Sequence, residues 1–412
     1  MTTVSVTKPS AMTWVRRNLF RTPLDAVLTI LFGSLSIYVV IRGLLFVFVN
    51  GRWKIIEDNL KLLMVGRWPV EELNAIAVSV VVLGLWAGLI AGIIAGRQVR
   101  KGTSAIEGMT RLQRVSDLGR RFGLIVATLL LLLALTDTSG PWLMVLFTFV
   151  GGVVGRLIGG QIGVRKLPGW VSRLGIFVMA VVPVLVYLYM YSAVPLAEWE
   201  GFLFNLTAAA AGVVLAFPLG LLLALGRRSK LKLLKGISIA YIEAIRGAPL
   251  YVLLLLANVS LEFFLPASVE APSKVVRAIV TFTLFTAAYI AEIVRGGLQS
   301  VPRGQEEAAK ALGLSPTKQM RLIVLPQALR NVIPAQIGQF IAAFKDTTLA
   351  GLALVILDLL QGAGAITQQS AFRGQGLIIE TLVFVGFLFW VGSFTMSRES
   401  QRLERKLGVG TR

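Results

Sequence analysis

Cysteine and histidine are both absent from this sequence. Without cysteine there can be no disulfide framework, thiol nucleophile, zinc–thiolate site or iron–sulfur cluster. Without histidine the commonest general base, metal ligand and near-neutral proton switch are missing too. Charge is scarce: 15% of the 412 residues are Asp, Glu, Lys or Arg, against about 25% in a soluble domain. Hydrophobic residues make up 56%, more apolar surface than a soluble chain of this size can bury. Alternating strand patterns are missing, which excludes a membrane β-barrel. No nucleophile–base set, carboxylate pair or metal-ligand cluster stands out, so the chain does not read as an enzyme. No G-x-x-x-x-G-K-[ST] loop is present. Gly220 to Ser229 looks similar but has the wrong spacing and no Lys.

What is there is a set of long apolar runs. A helix needs about 20 largely apolar residues to cross the hydrocarbon core. Ten runs qualify: 23–49, 76–96, 122–137, 141–160, 174–194, 202–225, 236–258, 276–294, 333–357 and 377–395. The third is short, and Thr136 to Pro141 reads as a tight hairpin to the fourth. The expectation is an all-α integral membrane protein of about ten spans. The first run follows a basic leader (Lys8, Arg16, Arg17, Arg21) but is too long for a cleavable signal and lacks a small-x-small cleavage site, so it reads as a retained anchor.

The formal net charge is +20. With the N-terminus inside and the spans alternating, about 30 of the 41 Lys and Arg fall in inside loops and about 6 outside. That asymmetry orients a membrane protein with both termini in the cytoplasm. It accounts for the charge without nucleic acid and adds contacts to anionic lipid.

The chain divides into a membrane extension, 1–195, with about five spans and a basic cytoplasmic loop from Arg97 to Arg121, and a second half, 196–412, with five more spans. Between spans one and two, Trp53 to Leu73 has helical apolar spacing and is expected to lie along the membrane surface. Gly151, Gly155, Gly159 and Gly163, with Gly152 and Gly160 beside them, line one helix face. Close helix packing explains this stripe better than a dinucleotide site.

The segment 302–330 differs from the other loops. Pro302 precedes a helix whose first turns carry Glu306 and Glu307, where acids favour the dipole. Ala308, Ala309 and Leu312 are expected on one face. Gly313 stands where a left-handed cap belongs. Ser315 and Pro316 read as an N-cap and first helical residue, and Pro326 as the end or kink of a second helix. Such a helical pair is shaped for a partner's groove.

The spacing Glu307-Ala308-Ala309, three residues, Gly313, nine residues, Ile323, one residue, Leu325-Pro326 resembles the EAA loop of ABC-importer permeases at every motif position. Tyr289 to Gln305, Arg246-Gly247-Ala248-Pro249-Leu250, Lys345-Asp346-Thr347-Thr348-Leu349 and Leu225 to Ser229 are similar to elements of the polar amino-acid branch. The likeness covers about 195–400. The long first half resembles the larger permeases of general L-amino-acid systems. Where the branch often has Gly-Gly followed by Thr, this chain has Glu200-Gly201 and Asn205.

The resemblance implies a type I ABC-importer permease core in 196–412. It implies no cofactor on this chain, with ATP and Mg used by separate ABC ATPase subunits that dock on the loop. It also implies a second related permease or a copy of this one, and an external amino-acid-binding protein. Glu243, Arg246, Glu292, Lys345, Asp346 and Asn205 are candidates for the substrate pathway, because polar groups within spans are functional by default; internal ion pairing is the competing reading. Gly247 and Pro249 suggest an opened helix beside Arg246. A permease for another small solute such as an opine or peptide, an ion-driven secondary transporter, and a scaffold without transport remain open alternatives.

Overall fold

The computed structural model describes residues 11–102, 111–135, 139–165, 168–260, 265–266 and 268–407, and its regular elements are helices. It forms two compact units, Met1–Lys54 and Ile55–Arg412. The first holds α1 (Ala11–Leu19) and α2 (Pro23–Leu45), which continues as a π-helical turn to Asn50. Thr22 starts α2 with a capping box: its hydroxyl accepts the Asp25 N–H and the Asp25 carboxylate accepts the Thr22 N–H, each at 3.1 Å. These bonds satisfy donors that a helix start leaves open.

The second unit opens with two short helices, α3 (Lys54–Asp58) and α4 (Leu60–Val65). The sequence expectation of a surface-lying segment is corrected here. Ile55, Ile56, Leu63 and Trp68 are fully buried, and α4 packs on two later helices, at Gly201–Arg227 and Leu359–Ile366. An amphipathic face buries equally well against protein as against lipid, and apolar partners are present.

Four longer helices follow: α5 (Leu73–Arg100), α6 (Arg111–Ala134), α7 (Ser139–Val164) and α8 (Gly169–Ala193). The loop expected from Arg97 to Arg121 is shorter, since α5 extends to Arg100 and α6 begins at Arg111. The hairpin expected at 136–138 lies outside the described residues. The glycine stripe of α7 packs on a matching stripe of α5. A Cβ on Gly88 would lie 2.1 Å from the Gly152 carbonyl oxygen, on Gly96 2.4 Å from that of Gly160, and on Gly159 2.1 Å from that of Leu89. The facing pairs, Gly84 with Thr148, Gly88 with Gly152 and Gly96 with Gly160, rise together in residue number along the two helices, so α5 and α7 run parallel. Two parallel helices need a return crossing between them, and α6 is the helix available to make it. Trp86 and Met179 tie α8 to α5 through an Nε1–H donated to the carbonyl at 2.7 Å.

The remaining helices are α9 (Gly201–Arg227), α10 (Lys232–Gly247), α11 (Leu250–Val259), α12 (Lys274–Ser300), α13 (Arg303–Ala311), α14 (Pro316–Gln319), α15 (Leu325–Asp346), α16 (Thr348–Leu354), α17 (Leu359–Ile366) and α18 (Ile378–Leu407). α9 and α12 are parallel: Gly212 faces Phe282 and Gly220 faces Ala287. α15 runs the other way, with Ala328 against Gly297 at one end and Thr347 bonded to Asn205 at the other. Phe344 of α15 meets Phe389 of α18 with centroids 4.9 Å apart.

Two expected spans take a different form. The run 236–258 is broken by a 100° bend between α10 and α11, where Gly247 and Pro249 interrupt the backbone ladder. The run 333–357 is not one helix: α15 starts at Leu325 and stops at Asp346, and the chain folds back through α16 to Val355 at φ +55°. Among the described residues, six helices are long and apolar enough to cross a membrane, or seven if the bent pair is one span. α6, α8 and α15 complete the ten runs with shorter or less apolar stretches.

Candidate functional site

The segment 302–326 builds a helix–turn–helix at the end of the bundle where α9, α12 and α18 finish. Pro302 caps α13. Gly313 follows its end at φ +71°, its N–H donating to the Lys310 carbonyl at 2.9 Å, while the Leu314 N–H reaches the Ala309 carbonyl at 3.2 Å. This left-handed turn closes the open carbonyls of the helix end. Ser315 is extended and Pro316 begins α14, but the Ser315 side chain makes no cap bond.

One expectation for this segment is corrected and another is narrowed. Ala308, Ala309 and Leu312 do not share one face: Ala309 is 3% exposed, whereas Ala308 points outward and Leu312 is 80% exposed. Adjacent helical positions are about 100° apart, so Ala309 turns inward while residues four apart stay together. Of the two readings for Pro326, end or kink, the end does not occur, and the regular helix is instead interrupted just before it. Met320–Val324 form a π turn, with the Leu325 N–H donating to the Met320 carbonyl, and the helix continues as α15. The widened turn makes room for the proline ring, which would otherwise clash with the preceding turn. The Gln327 side-chain amide donates to the Ile323 carbonyl at 2.9 Å. Val324 is buried, Ile323 and Leu325 are half-buried, and Glu307, Leu312 and Leu322 are exposed. The result is a helix–turn–helix tip with uncovered apolar and small side chains.

The six pathway candidates separate into two groups. Glu243, Arg246 and Glu292 come together with Arg227 and Arg295. Arg295 Nε lies 2.9 and 3.0 Å from the two Glu292 oxygens. Arg227 reaches Glu243 at 3.1 Å and Glu292 at 3.5 Å. Arg246 is 3.8 Å from Glu292, with its guanidinium 5.5 Å from the centroid of the Tyr289 ring. The neighbouring Arg228 pairs with Glu306 of α13 at 3.3 Å, so α9 touches both this cluster and the helical loop.

Lys345, Asp346 and Asn205 lie at the opposite end. Lys345 is exposed and Asp346 half-buried. Asn205 is fully buried. Its amide nitrogen donates to the Thr347 hydroxyl and to Asp358, and its oxygen accepts the Leu359 N–H, all at 3.1 Å. Asp358 also caps α17 through the Gln361 N–H at 2.8 Å. Sequence reading missed Asp358; its place just before an apolar helical run was the available N-cap signal. The Glu200-Gly201 departure has a local cause. The buried Glu200 carboxylate accepts from the Arg67 backbone N–H at 3.1 Å and from its Nε at 3.0 Å, and Gly201, at φ +60°, packs on Gly66 and Leu63. Glu200 therefore answers an arginine that the first half of the chain supplies. Among the described residues no group of three or more acidic, His or Cys side chains is placed to hold a metal.

The helical bundle, its bent span and the exposed helix–turn–helix define a transport permease. Residues 216–409 match the family described as binding-protein-dependent transport system inner membrane component. The chain is 34% identical over 425 aligned residues to the glutamate/glutamine/aspartate/asparagine transport system permease protein BztC of Rhodobacter capsulatus, covering 98% of this chain and 95% of that one. It is 39% identical over 234 residues to the inner membrane amino-acid ABC transporter permease protein YhdY of Escherichia coli K12, covering 55% and 63%. A crystal structure of an amino acid ABC transporter with histidines aligns over 53% of this chain and 97% of its own, at 31% identity and a TM-score of 0.45. The chain belongs to the amino-acid ABC-transporter permease family. It is a multi-pass bacterial inner-membrane protein.

Proposed function

We propose that this chain is the permease subunit of an ATP-driven importer for polar or general L-amino acids, with residues 196–412 as its transport core and 1–195 as a membrane extension. The observation that carries the reading is the exposed tip at 302–326, where the uncovered Ala308 and Leu312 stand beside the acidic Glu307, a small and apolar surface with a charged edge that suits docking. On this reading separate ATPase subunits bind the tip, and ATP and Mg are used there. Their closure moves α13 and α15, and α9 follows through Arg228 and Glu306. The loop and both termini face the cytoplasm, in keeping with the basic residues at that end. A second related permease or a copy of this chain completes the pathway, an external binding protein delivers the amino acid, and lipid surrounds the apolar helices.

Glu243, Arg246 and Glu292 on the inner side, and Lys345 and Asp346 on the outer side, offer charges of both signs to a zwitterion during alternating access. Asn205 joins the outer group by holding the fold beside them. The substrates named for the Rhodobacter capsulatus relative favour acidic amino acids and their amides as cargo.

The deciding experiment is uptake of each labelled L-amino acid by cells with and without this chain, partners intact. Selective loss for several amino acids is the expected result. Unchanged uptake of all of them, with the chain present in the membrane, refutes it; uptake that survives ATP depletion turns the reading to an ion-driven transporter.

A further inference from the structure

Where α5 and α7 finish, the chain gathers positive charge that its own neighbouring helices do not answer. α5, α7 and α8 contain no Asp or Glu. Arg100 ends α5, Lys101 caps it, and Arg165 follows the end of α7. The two ends are held level. A Cβ on Gly163 would lie 3.1 Å from the Arg97 nitrogen, and Arg100 Nη1 donates to the Arg165 carbonyl at 2.5 Å. That bond spends one of five guanidinium donors. Arg100, Lys101 and Arg165 are all exposed. Trp170 is exposed at the start of α8, just beyond Arg165. An indole at such a place marks the headgroup level of a membrane.

Arg156 separates this end from an ordinary basic loop. It lies inside the apolar span Gly140–Val164, about 12 Å before the last residue at the helical rise. The span has 25 residues, a length of about 37 Å, against a hydrocarbon core of about 30 Å. Even with all the excess outside at this end, Arg156 starts below the headgroups. Its side chain is exposed, and no described residue hydrogen-bonds or pairs with it. The face around it is open. Gly152 and Gly160 stand one turn before and one turn after. A Cβ on Gly160 would meet nothing within 4 Å, and one on Gly152 nothing nearer than 3.6 Å. Phe149, Val153 and Leu157 beside it are exposed. A charge left in hydrocarbon is expensive. An arginine avoids that cost by laying its stem along apolar surface and bringing its head to a polar group at the boundary.

We propose that the α5–α7 pair holds one anionic phospholipid at this end, with its phosphate between Arg156 below and Arg100, Lys101 and Arg165 above, and an acyl chain over Gly152 and Gly160. Phosphate oxygens take charge-assisted bonds from such donors, and basic pockets between spans hold anionic headgroups. A carboxylate on another protein's helix is the competing occupant. The surroundings favour the lipid: bulky exposed side chains suit acyl chains better than close helix approach, and cations at two depths exceed what one carboxylate answers. The site gives residues 1–195 a role of their own, independent of the cargo and of the importer reading.

The test uses the full chain with the subunits that co-purify, stripped of lipid in detergent. The probes are phosphatidylglycerol and phosphatidylethanolamine with identical acyl chains, and native mass spectrometry counts the lipid retained. Wild type is expected to retain phosphatidylglycerol saturably and to prefer it over the zwitterionic lipid by about fivefold or more, the factor for one basic residue at a charged headgroup. R156Q is expected to lose about fivefold in affinity for phosphatidylglycerol, and R156K to keep most of it. K235Q removes the same charge from α10 and is expected to change nothing. G160F fills the open face without altering any charge and is expected to weaken retention. A melting temperature is read beside each variant. Phosphatidylglycerol is expected to raise it for wild type, R156K and K235Q and much less for R156Q, a difference that a merely structural arginine would not produce. Equal retention of the two lipids by wild type, or equal losses in R156Q and K235Q, overturns the site. Unchanged affinity in R156Q overturns it too, and a co-purifying subunit lost from that variant then identifies the carboxylate-bearing helix as the occupant.

Discussion

At Gly313 one backbone angle decides the shape of the loop. Its φ of +71° costs an L-residue about 1–2 kcal/mol, and a proline ring cannot adopt it. Gly313→Ala is therefore expected to lower uptake moderately and Gly313→Pro to abolish it, with the protein still inserted; Glu307→Lys, on the exposed face, should lower uptake at unchanged abundance. Normal transport by Gly313→Pro at equal membrane level would remove the loop from the mechanism. Asn205 presents the opposite case. Every polar atom of its side chain is taken by Thr347, Asp358 and Leu359. Asn205→Ala strands buried donors and acceptors at about 1–3 kcal/mol each. It should reduce the amount of folded protein and its melting temperature, and leave the KM for uptake unchanged in what folds. The left-handed turn at Gly313 was legible from spacing. The valences of Asn205 were not, because its partners lie some 140 to 150 residues away along the chain.

Between elements, the α5–α7 pair makes the sharpest contrast available to mutagenesis. A Cβ on Gly159 would stand 2.1 Å from the Leu89 carbonyl oxygen, whereas one on Gly160 meets nothing within 4 Å. Gly159→Leu should push the helices apart and lower the amount of protease-resistant protein in the membrane; Gly160→Ala should be neutral. Equal levels for both variants would refute the packing. The α16–α17 connection carries a pH dependence. It lies beyond the end of α15, and burial there pushes the Asp358 carboxyl up to about 6, above its ordinary 3.8, with its hydrogen bonds opposing the shift. The folded form thus binds that proton more tightly than the unfolded chain does. Stability of the connection falls as pH rises from the ordinary value through the folded one, and is lower at about pH 7 than at about pH 5. Hydrogen-exchange protection of α16 and α17 should increase on acidification, and Asp358→Asn should flatten that dependence. The glycine stripe was readable at its four-residue spacing, but its partner helix was not, since a small-residue face does not name what it packs on.

For the whole molecule, the absence of cysteine becomes an experimental asset. Single cysteines at Gly313 and at the exposed Val355 should be labelled from opposite sides of the membrane by an impermeant maleimide, in an otherwise unreactive chain. Labelling of both from one side would refute the arrangement of α15 and the orientation drawn from the basic loops. The same experiment distinguishes a crossing by α15 from a re-entrant path, because both positions flank that helix.

The membrane class, most of the spans, the basic end and the helical loop were determined by the sequence itself. They depend on local quantities: run length, charge per loop, and the spacing of Gly, Pro and acidic residues. Tertiary structure alone decided how far the chain bends and what closes over it. The break at Gly247–Pro249 became a 100° turn, the apolar segment 55–68 went into protein instead of lying on lipid, and Glu200 found Arg67. Apolar surface has no direction of its own, and a buried charge is stable only beside a partner that the fold brings from elsewhere in the chain.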